Sequence, residues 1–539
     1  MKNGAQAMIE SLEREGVTHI FGYPGATIAP LYDRLSDSKI RHILVRHEQH
    51  AGHAAGGYAR ISGKPGVCVV TSGPGATNLL TALATAYMDS IPIVAISGQV
   101  NSELLGRDVF QEADITGAAE PFTKYSYLVK DEKELPRIIK EAFHIAATGR
   151  PGPVLIDVPV DVQLREAAFK FPQSVSIRGY KPTIQGHAGQ IKRVLRTLAQ
   201  SQHPLICVGG GIFAAKAQDV FLNFIETLNV PVVSTLMGIG AVPTSHPLYM
   251  GQVGMHGKST ANDAISEADV LFLIGARVSD RAVLLPDKVK RRTKIIHIDI
   301  DPAEIGKNLD TFIPVVGDAK AIMGQIIDYK PDRKDDEWIQ FLTDRKNARN
   351  VDYADRAEGV NPKAFVHKLS KALPDSFIYC ADVGQNQLWS AGNVEIRRGG
   401  RFLTTGGMGT MGYAIAAAAG AKVAADGRFT VAVCGDGSFQ MSMMELATLV
   451  QHGIDVKIVV MVNGKLGLVR EIQTDSYEDN QMAVDITGSP DPVAIAKAYG
   501  IDGDTVSTAE EAEDGIRKLI AHEGPYLLAV RVSDSESSL

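Results

Sequence analysis

The chain has 539 residues, a formal net charge of −7, and 45% hydrophobic and 22% charged residues. It is too long for one hydrophobic core and predicts roughly three domains of about 150 residues. The composition is that of a soluble globular protein. The acidic balance disfavours nucleic-acid binding, and no apolar run of about 18 residues predicts a membrane span. Cys68, Cys207, Cys380 and Cys434 are far apart, in or at the end of apolar runs. They predict buried thiols in a reducing, cytoplasmic setting, without a disulfide framework. The N-terminal stretch reads as a helix and not as a targeting peptide.

Residues 1–165 alternate apolar strands with helical stretches: His19–Phe21, His42–Val45, Val67–Val70, Ile93–Ile96 and Val154–Asp157. Residues 166–188 lack periodicity and read as a linker. A second α/β block spans 189–329, with strands at Leu205–Val208, Val232–Val233, Val270–Ile274 and Lys294–Asp299. The charge-rich 330–360 stretch reads as a solvated helix and connector. The third block, 361–539, contains Phe377–Cys380, Val431–Cys434, Val456–Val462 and Leu527–Val530, and its polar tail from Ser533 is expected to fray. The fold class is therefore α/β, as three successive doubly wound, mostly parallel sheets with ligands at strand C-termini.

The strand Val431–Cys434 ends in Gly435-Asp436-Gly437-Ser438, and the next strand, Val456–Val462, ends in Asn463-Gly464. In a parallel sheet with a helical crossover these tips lie side by side. A carboxylate, an amide oxygen and a backbone carbonyl are hard ligands that suit Mg²⁺ with a diphosphate completing the octahedron. Gly437 would let backbone approach phosphate and Ser438 could donate to it. A tight turn without ligand is the plainer alternative for Asp-Gly alone. In the first block, Glu48 stands at a strand-to-helix junction, where a helix-dipole role would also explain it. His47, His50 and His53 lack an accompanying carboxylate pair and predict no metal. Val208-Gly209-Gly210-Gly211-Ile212 follows a strand but is not a full dinucleotide fingerprint.

Further loops align these features. Phe21-Gly-Tyr-Pro24-Gly25, Thr71-Ser-Gly-Pro74-Gly-Ala-Thr-Asn78 and Gly406-Gly-Met-Gly409-Thr-Met411-Gly412 occur in order with Glu48 and Gly435-Asp436-Gly437. This arrangement resembles the thiamine-diphosphate (ThDP) decarboxylases and carboligases over nearly the whole chain. It is closest to the catalytic subunits of acetohydroxyacid (acetolactate) synthases, whose pattern is also seen in Phe110-Gln111-Glu-Ala-Asp114, Met255-His256-Gly257, Gly275-Ala-Arg277 and His297–Pro302. The resemblance implies that Glu48 hydrogen-bonds the cofactor's pyrimidine, lined by Pro24, Gly25, Thr71, Pro74 and Asn78. It implies that Met411 wedges the cofactor into a V, although a core methionine would explain that residue as well. Gln111 would line the substrate entrance. Gly384, Gln385, Asn386, Gly409, Gly435, Gly437 and Ser438 would hold the diphosphate side, and Asp436, Asn463 and the Lys465 carbonyl the Mg²⁺.

In the central block Gly209, Gly210, Gly211, Thr235, Leu236, Met255, His256, Gly275, Arg277, Arg281, Asp299, Ile300 and Asp318 match segments that contact FAD in that family, and Arg150 of the first block matches too. The implied reaction decarboxylates pyruvate and transfers the two-carbon unit to a second 2-keto acid. It implies a homodimer or tetramer with sites at the subunit interface, and a separate regulatory subunit is compatible. Departures fall at Ala26, Val160, Ile472, Asn386 and Val462, where the family usually has Gly, Lys, Trp, His and Asn. They leave open another ThDP/FAD enzyme, such as a pyruvate oxidase or a carboligase with a different donor or acceptor. A regulatory protein that kept the fold without chemistry is disfavoured by Glu48, Asp436 and Asn463.

Overall fold

The computed structural model describes residues 1–279, 292–329, 336–348, 351–425 and 427–538. Among these residues, eighteen of the strands build three six-stranded sheets. The first sheet contains β1 (His19–Gly22), β2 (Arg41–Leu44), β3 (Gly66–Val70), β4 (Ile93–Gln99), β5 (Tyr125–Leu128) and β6 (Val154–Pro159), in spatial order β2-β1-β3-β4-β6-β5. The middle sheet contains β7 (Pro204–Val208), β8 (Val232–Ser234), β9 (Tyr249–Gln252), β10 (Val270–Ile274), β11 (Lys294–Asp299) and β12 (Ile313–Val316), ordered β9-β8-β7-β10-β11-β12. The third contains β13 (Ile378–Ala381), β14 (Arg401–Leu403), β15 (Thr430–Gly435), β16 (Lys457–Val462), β17 (Asp502–Val506) and β18 (Tyr526–Arg531), ordered β14-β13-β15-β16-β18-β17. The first and third sheets thus have the same order. Every pairing in the three sheets is parallel. Parallel strands covered by helices on both faces bury both sets of side chains, which explains continuous runs such as Val-Cys-Val-Val in β3 and Val-Val-Met-Val in β16.

Seven helices position the functional residues: α1 (Glu48–Ser62), α2 (Pro74–Met88), α3 (Gln385–Asn393), α4 (Ala414–Ala424), α5 (Asp436–Gln440), α6 (Leu446–His452) and α7 (Gly467–Ser476). Helix α1, Ala/Gly-rich from Ala51, packs on the Ala-rich α4, joining the first domain to the third. A Cβ on Gly57 would lie 2.0 Å from the Ala417 carbonyl oxygen, and one on Gly420 would lie 1.8 Å from that of Ala54. Around this contact the two sheets share one apolar core, from Phe21 and Ile43 through Ala54 and Ala418 to Cys434 and Ile458. The middle sheet has its own core, containing Ile206, Phe221, Phe224 and Phe272.

Two expectations are corrected. The charged helix Asp336–Asn347 is not wholly solvated: Trp338 and Leu342 are buried against the middle domain, and the Trp338 indole donates to the Pro204 carbonyl at 3.0 Å. The C-terminal tail is tied down: Arg356 grips the Glu536 carboxylate with two 2.9 Å contacts, and the Trp389 indole donates to the Ser537 carbonyl at 2.8 Å. All four cysteines are buried free thiols. Among the described residues no helix is long and apolar enough to cross a membrane.

Gly57→Ala and Gly420→Ala should each destabilise the protein by about 3 kcal/mol. The clash is with backbone, and it outweighs the roughly 1 kcal/mol that alanine gains over glycine inside a helix. Denaturant unfolding checks this, and an unchanged midpoint would contradict the backbone contact. A second expectation concerns pH. Burial lowers the pKa of the His53 imidazole to about 3 from 6.5. Below pH 6.5 the unfolded chain binds a proton there that the native chain does not, so stability falls as pH drops toward 3, by up to about 1.4 kcal/mol per unit. His53→Asn should flatten the acid limb of stability against pH by that amount; equal slopes would show that His53 contributes nothing to it.

Candidate active site

In the first sheet β1 lies between β2 and β3, so the chain leaves β1 to one side and β3 returns on the other. The crevice at such a reversal, outside the strand carboxyl ends, is where open α/β sheets bind ligands. The loops there are Tyr23-Pro24-Gly25 after β1 and Thr71-Ser72-Gly73-Pro74 after β3. A Cβ on Gly25 would fall 2.5 Å from the Thr71 Cβ, so the two loops touch. Thr27 pins them: its hydroxyl meets that of Thr71 at 2.9 Å and accepts the Ser72 N–H at 3.0 Å. Glu48, the first residue of α1, enters the same crevice. Its Oε2 accepts from the Asn78 amide at 3.0 Å, and its Oε1 lies 3.2 Å from where a Cβ on Gly75 would sit. Gln111, at φ 59°, lies across Gly73, whose Cβ position is 3.0 Å from the Gln111 Cα. Glu48, Gly25, Thr71, Pro74, Asn78 and Gln111 therefore form one cluster, and the Ser72 hydroxyl is buried there without a partner.

The third sheet repeats the arrangement, with β13 between β14 and β15. The loop after β13 holds Asp382, Gly384, Gln385 and Asn386, and that after β15 holds Gly435-Asp436-Gly437. Asp436 is 5% exposed. Its Oδ2 accepts the N–H groups of Gly464 at 2.7 Å and Asn463 at 3.2 Å, and its Oδ1 accepts that of Gly437 at 3.0 Å. Burial raises its pKa, and these N–H groups oppose the rise. The Asn463 amide donates to Gln385 Oε1 at 3.0 Å, and Gln385 in turn donates to the Glu536 carbonyl at 2.8 Å. Gly384, at φ 130°, opens α3, and the Asn386 Oδ1 beside it is buried without a partner. Ser438 is turned back on the chain, its hydroxyl donating to the Gly435 carbonyl at 3.2 Å and accepting the Gly435 N–H at 3.1 Å. In this structure it caps α5. Lys465 pairs with Asp485 at 2.9 Å.

Met411 reaches this turn: its Cε lies 3.6 Å from a Cβ position on Gly437, where Leu466 and Ile486 also converge. The Gly406–Gly412 loop that carries Met411 and Gly409 is anchored from two sides. Asp89, at the end of α2, accepts the Gly407 N–H at 2.9 Å, and Asp382 accepts those of Gly412 at 3.0 Å and Ala414 at 2.8 Å. Burial raises the Asp382 pKa to about 6. Neither anchor was anticipated, although Asp382 stands at a strand tip just as Asp436 does.

In the middle sheet the order is that of dinucleotide-binding folds, reversing between β7 and β10. Gly209, Gly210 and Gly211 follow β7, Gly275 and Arg277 follow β10, Thr235 and Leu236 follow β8, Asp299 ends β11 with Ile300 next, and Asp318 follows β12. All stand along one edge. The glycines also serve packing, since a Cβ on Gly209 would sit 2.2 Å from the Gly275 carbonyl oxygen. Asp318 caps a helix by accepting the Ala321 N–H at 3.0 Å. Arg150 is bound to Glu304 at 2.8 Å, Asp301 at 3.3 Å and the Ser90 hydroxyl at 2.9 Å. Arg277 adjoins Gly407, and Met255, before His256, is 47% exposed. Arg281 lies outside the described residues. The His297 Nε2 is buried without a hydrogen-bond partner and lies 3.9 Å from the Asp299 carboxylate. Burial lowers the His297 pKa to about 4 and raises that of Asp299 to about 6.

The chain matches three thiamine pyrophosphate enzyme families, one in each of the three domains: the N-terminal TPP binding domain over residues 2–118, the central domain over 191–326 and the C-terminal TPP binding domain over 382–530. It is 44% identical to an acetolactate synthase of Arthrospira platensis, covering 99% of this chain and 94% of that protein. The chain belongs to the acetolactate synthase family. Other members of this family are a probable acetolactate synthase large subunit of Methanocaldococcus jannaschii, 43% identical over 99% of this chain and 92% of the relative, and an acetolactate synthase large subunit of Corynebacterium glutamicum, 44% identical over 96% and 84%. Two of the three matching families are thiamine pyrophosphate binding domains, so thiamine diphosphate is the cofactor of this chain.

Gly467→Ala tests the second cluster. A Cβ there would fall 1.8 Å from Gln385 Oε1, and Gln385 is buried and bonded at both ends. The substitution should push Gln385 off Asn463 and weaken thiamine-diphosphate binding about tenfold or more, the scale of losing one buried hydrogen bond together with its partner's satisfaction. Calorimetric titration measures it, and unchanged affinity would place Gln385 outside the site.

Proposed function

We propose that this chain makes 2-acetolactate by decarboxylating pyruvate and transferring the two-carbon unit to a second 2-keto acid, a step of branched-chain amino acid biosynthesis. The single observation that carries the reading is the pair of polar crevices at equivalent points of two identically ordered sheets, within a chain similar to acetolactate synthases along nearly all its length. Bound thiamine diphosphate supplies the electron sink that lets CO2 leave a 2-keto acid.

The chain's own residues hold the cofactor and manage protons. The buried Asn386 Oδ1 and Ser72 hydroxyl, each without a protein partner, mark sites built for a polar ligand. Asp436 is a buried carboxylate, and among the described residues no three His, Cys, Asp or Glu side chains converge as a metal site. A diphosphate beside it would be repelled unless a cation stood between them. Mg²⁺ fits there, and Asp436, Asn463 and the Lys465 carbonyl would be its protein ligands. Gly384, Gln385, Asn386, Gly409, Gly435, Gly437 and Ser438 line the diphosphate, and Met411 with Leu466 and Ile486 forms the apolar shelf beside it. Glu48 holds a proton toward the pyrimidine, between the Pro24–Gly25 and Thr71–Asn78 loops, and Gln111 flanks the substrate entrance.

FAD fits the middle sheet, whose switch-point glycines follow the strand tips and whose buried His297 Nε2 lacks a hydrogen-bond partner; Arg150, Gly209–Gly211, Thr235, Leu236, Met255, His256, Gly275, Arg277, Arg281, Asp299, Ile300 and Asp318 are the residues proposed to meet it. Glu48 bonds Asn78 while Asp436 bonds Gly437, Asn463 and Gly464, so the two clusters share no side chain. A second copy of the chain, in a homodimer or tetramer, would bring Glu48 of one subunit to Asp436 of the other. Relatives named as large subunits make a separate smaller subunit part of this reading.

Purified protein incubated with pyruvate, thiamine diphosphate, Mg²⁺ and FAD should give acetolactate as the main product, with the flavin remaining oxidised. Acetate with flavin reduction, or acetaldehyde, would overturn the reading. Glu48→Gln should lower turnover at least about 100-fold, within the range for removing a general acid–base group, while thiamine-diphosphate affinity stays close to that of the wild type.

A further inference from the structure

Glu445 lies in the turn joining α5 to α6, in the third domain, yet it bonds chiefly to the first. It is 1% exposed. Its Oε1 accepts the Arg46 N–H at 2.8 Å and the His50 Nδ1–H at 2.9 Å, and its Oε2 accepts the Thr448 hydroxyl at 2.6 Å. A carboxylate buried this deeply is stable only if donors occupy its lone pairs. Two of its three donors come from the few residues that bracket Glu48. The first N–H groups of a helix have no intrahelical partner, so a helix start is held by whatever caps it. Here the local cap is long: His47 Nδ1 accepts the Gln49 N–H at 3.2 Å. The shorter bonds reach across the domain boundary. Nearby, the His452 imidazole accepts the Leu44 N–H at 2.9 Å and the Arg41 side chain donates to the His452 carbonyl at 2.8 Å, so α6 holds the end of β2 as well.

We propose that Glu445 is a positioning residue for Glu48: by gripping Arg46 and His50 it sets the first turn of α1 and the direction in which the Glu48 carboxylate points. The proposal rests on the reading of Glu48 as the acid–base group. The grip also ties that group to its own chain's Asp436 turn, since Glu445 follows Asp436 by little more than the short helix α5.

Glu445→Gln and Glu445→Asp separate position from charge. The glutamine keeps an oxygen facing Arg46 and His50, and the Thr448 hydroxyl, which also donates to the Leu44 carbonyl at 3.1 Å, can accept from the new amide. Its kcat should stay near wild type. The aspartate keeps the charge but withdraws the carboxylate by one methylene, which misplaces Glu48 on the scale of 1 Å and should lower kcat about 100-fold. Pyruvate KM and thiamine-diphosphate affinity should not move. His50→Asn removes the imidazole donor from the other side of the contact and should give the same split, which decides the matter if the aspartate variant does not fold. In a Glu48→Gln background, Glu445→Asp should cost nothing further, because the group it positions is gone. An active aspartate with an inactive glutamine would overturn the proposal in favour of charge, and an equal loss in the Glu48→Gln background would overturn it in favour of a general structural role. If Glu48→Gln turns over normally, the acid–base reading fails; if it is inactive while both Glu445→Asp and His50→Asn are fully active, only the positioning inference fails.

Discussion

Two helices that meet at backbone distance, α1 and α4, hold the functional parts of this molecule in place. Alanine and glycine on both sides let carbonyl groups approach where any larger side chain would collide, as at Gly57 and Gly420. The contact merges the cores of the first and third domains into one. It also fixes the start of α1, with Glu48, and the start of α4, with Met411 just before it. Close packing without bulky side chains tolerates little adjustment, because interiors transmit displacement instead of absorbing it. The bonds from Glu445, His452 and Asp89 cross the same boundary and lock its ends.

The identical strand orders on either side of this contact put two crevices at equivalent topological positions. Each receives a carboxylate from the first residue of a helix, Glu48 in α1 and Asp436 in α5. Their surroundings differ. Asp436 is deep and wrapped by three backbone N–H groups, which holds it in one orientation. Glu48 is partly open and meets an amide side chain, as the proposed acid–base role requires. On the proposed function, one fold would thus yield a metal-type and an acid–base-type carboxylate from the burial and donors around each.

What could be read in the sequence followed burial. Central strands such as β3, β7, β15 and β16 are covered on both faces and stand out as apolar runs. Within the three six-stranded sheets, the five strands without such a signal, β5, β9, β12, β14 and β17, are all edge strands, and sequences such as Tyr-Ser-Tyr-Leu or Asp-Gly-Asp-Thr-Val carry no such run. The Gly-rich tips were legible because close approach excludes side chains, but their cause was ambiguous: Gly209 and Gly211 are required by contact with Gly275, whatever ligand lies beyond. Ser438 was read as a phosphate donor and here caps a helix. Glu445 and Asp89 were invisible, since a carboxylate that bonds across a domain boundary has no local pattern. Trp338 and the tail after Ser533 were misread for the converse reason, that local polarity conceals a few anchoring contacts.

The α1–α4 contact has a consequence for how the polypeptide is made. Domains fold in order as the chain emerges, the N-terminal ones first. The Ala/Gly face of α1 is complete when the first sheet closes, but its partner α4 is synthesised only after the whole middle domain. In that interval the nascent first domain carries a flat, apolar, uncovered face that would accept any small-residue helix, including that of a neighbouring ribosome's product. Production of this chain is therefore most exposed to misassembly midway through translation, after the crevice around Glu48 has formed and well before the one around Asp436 exists.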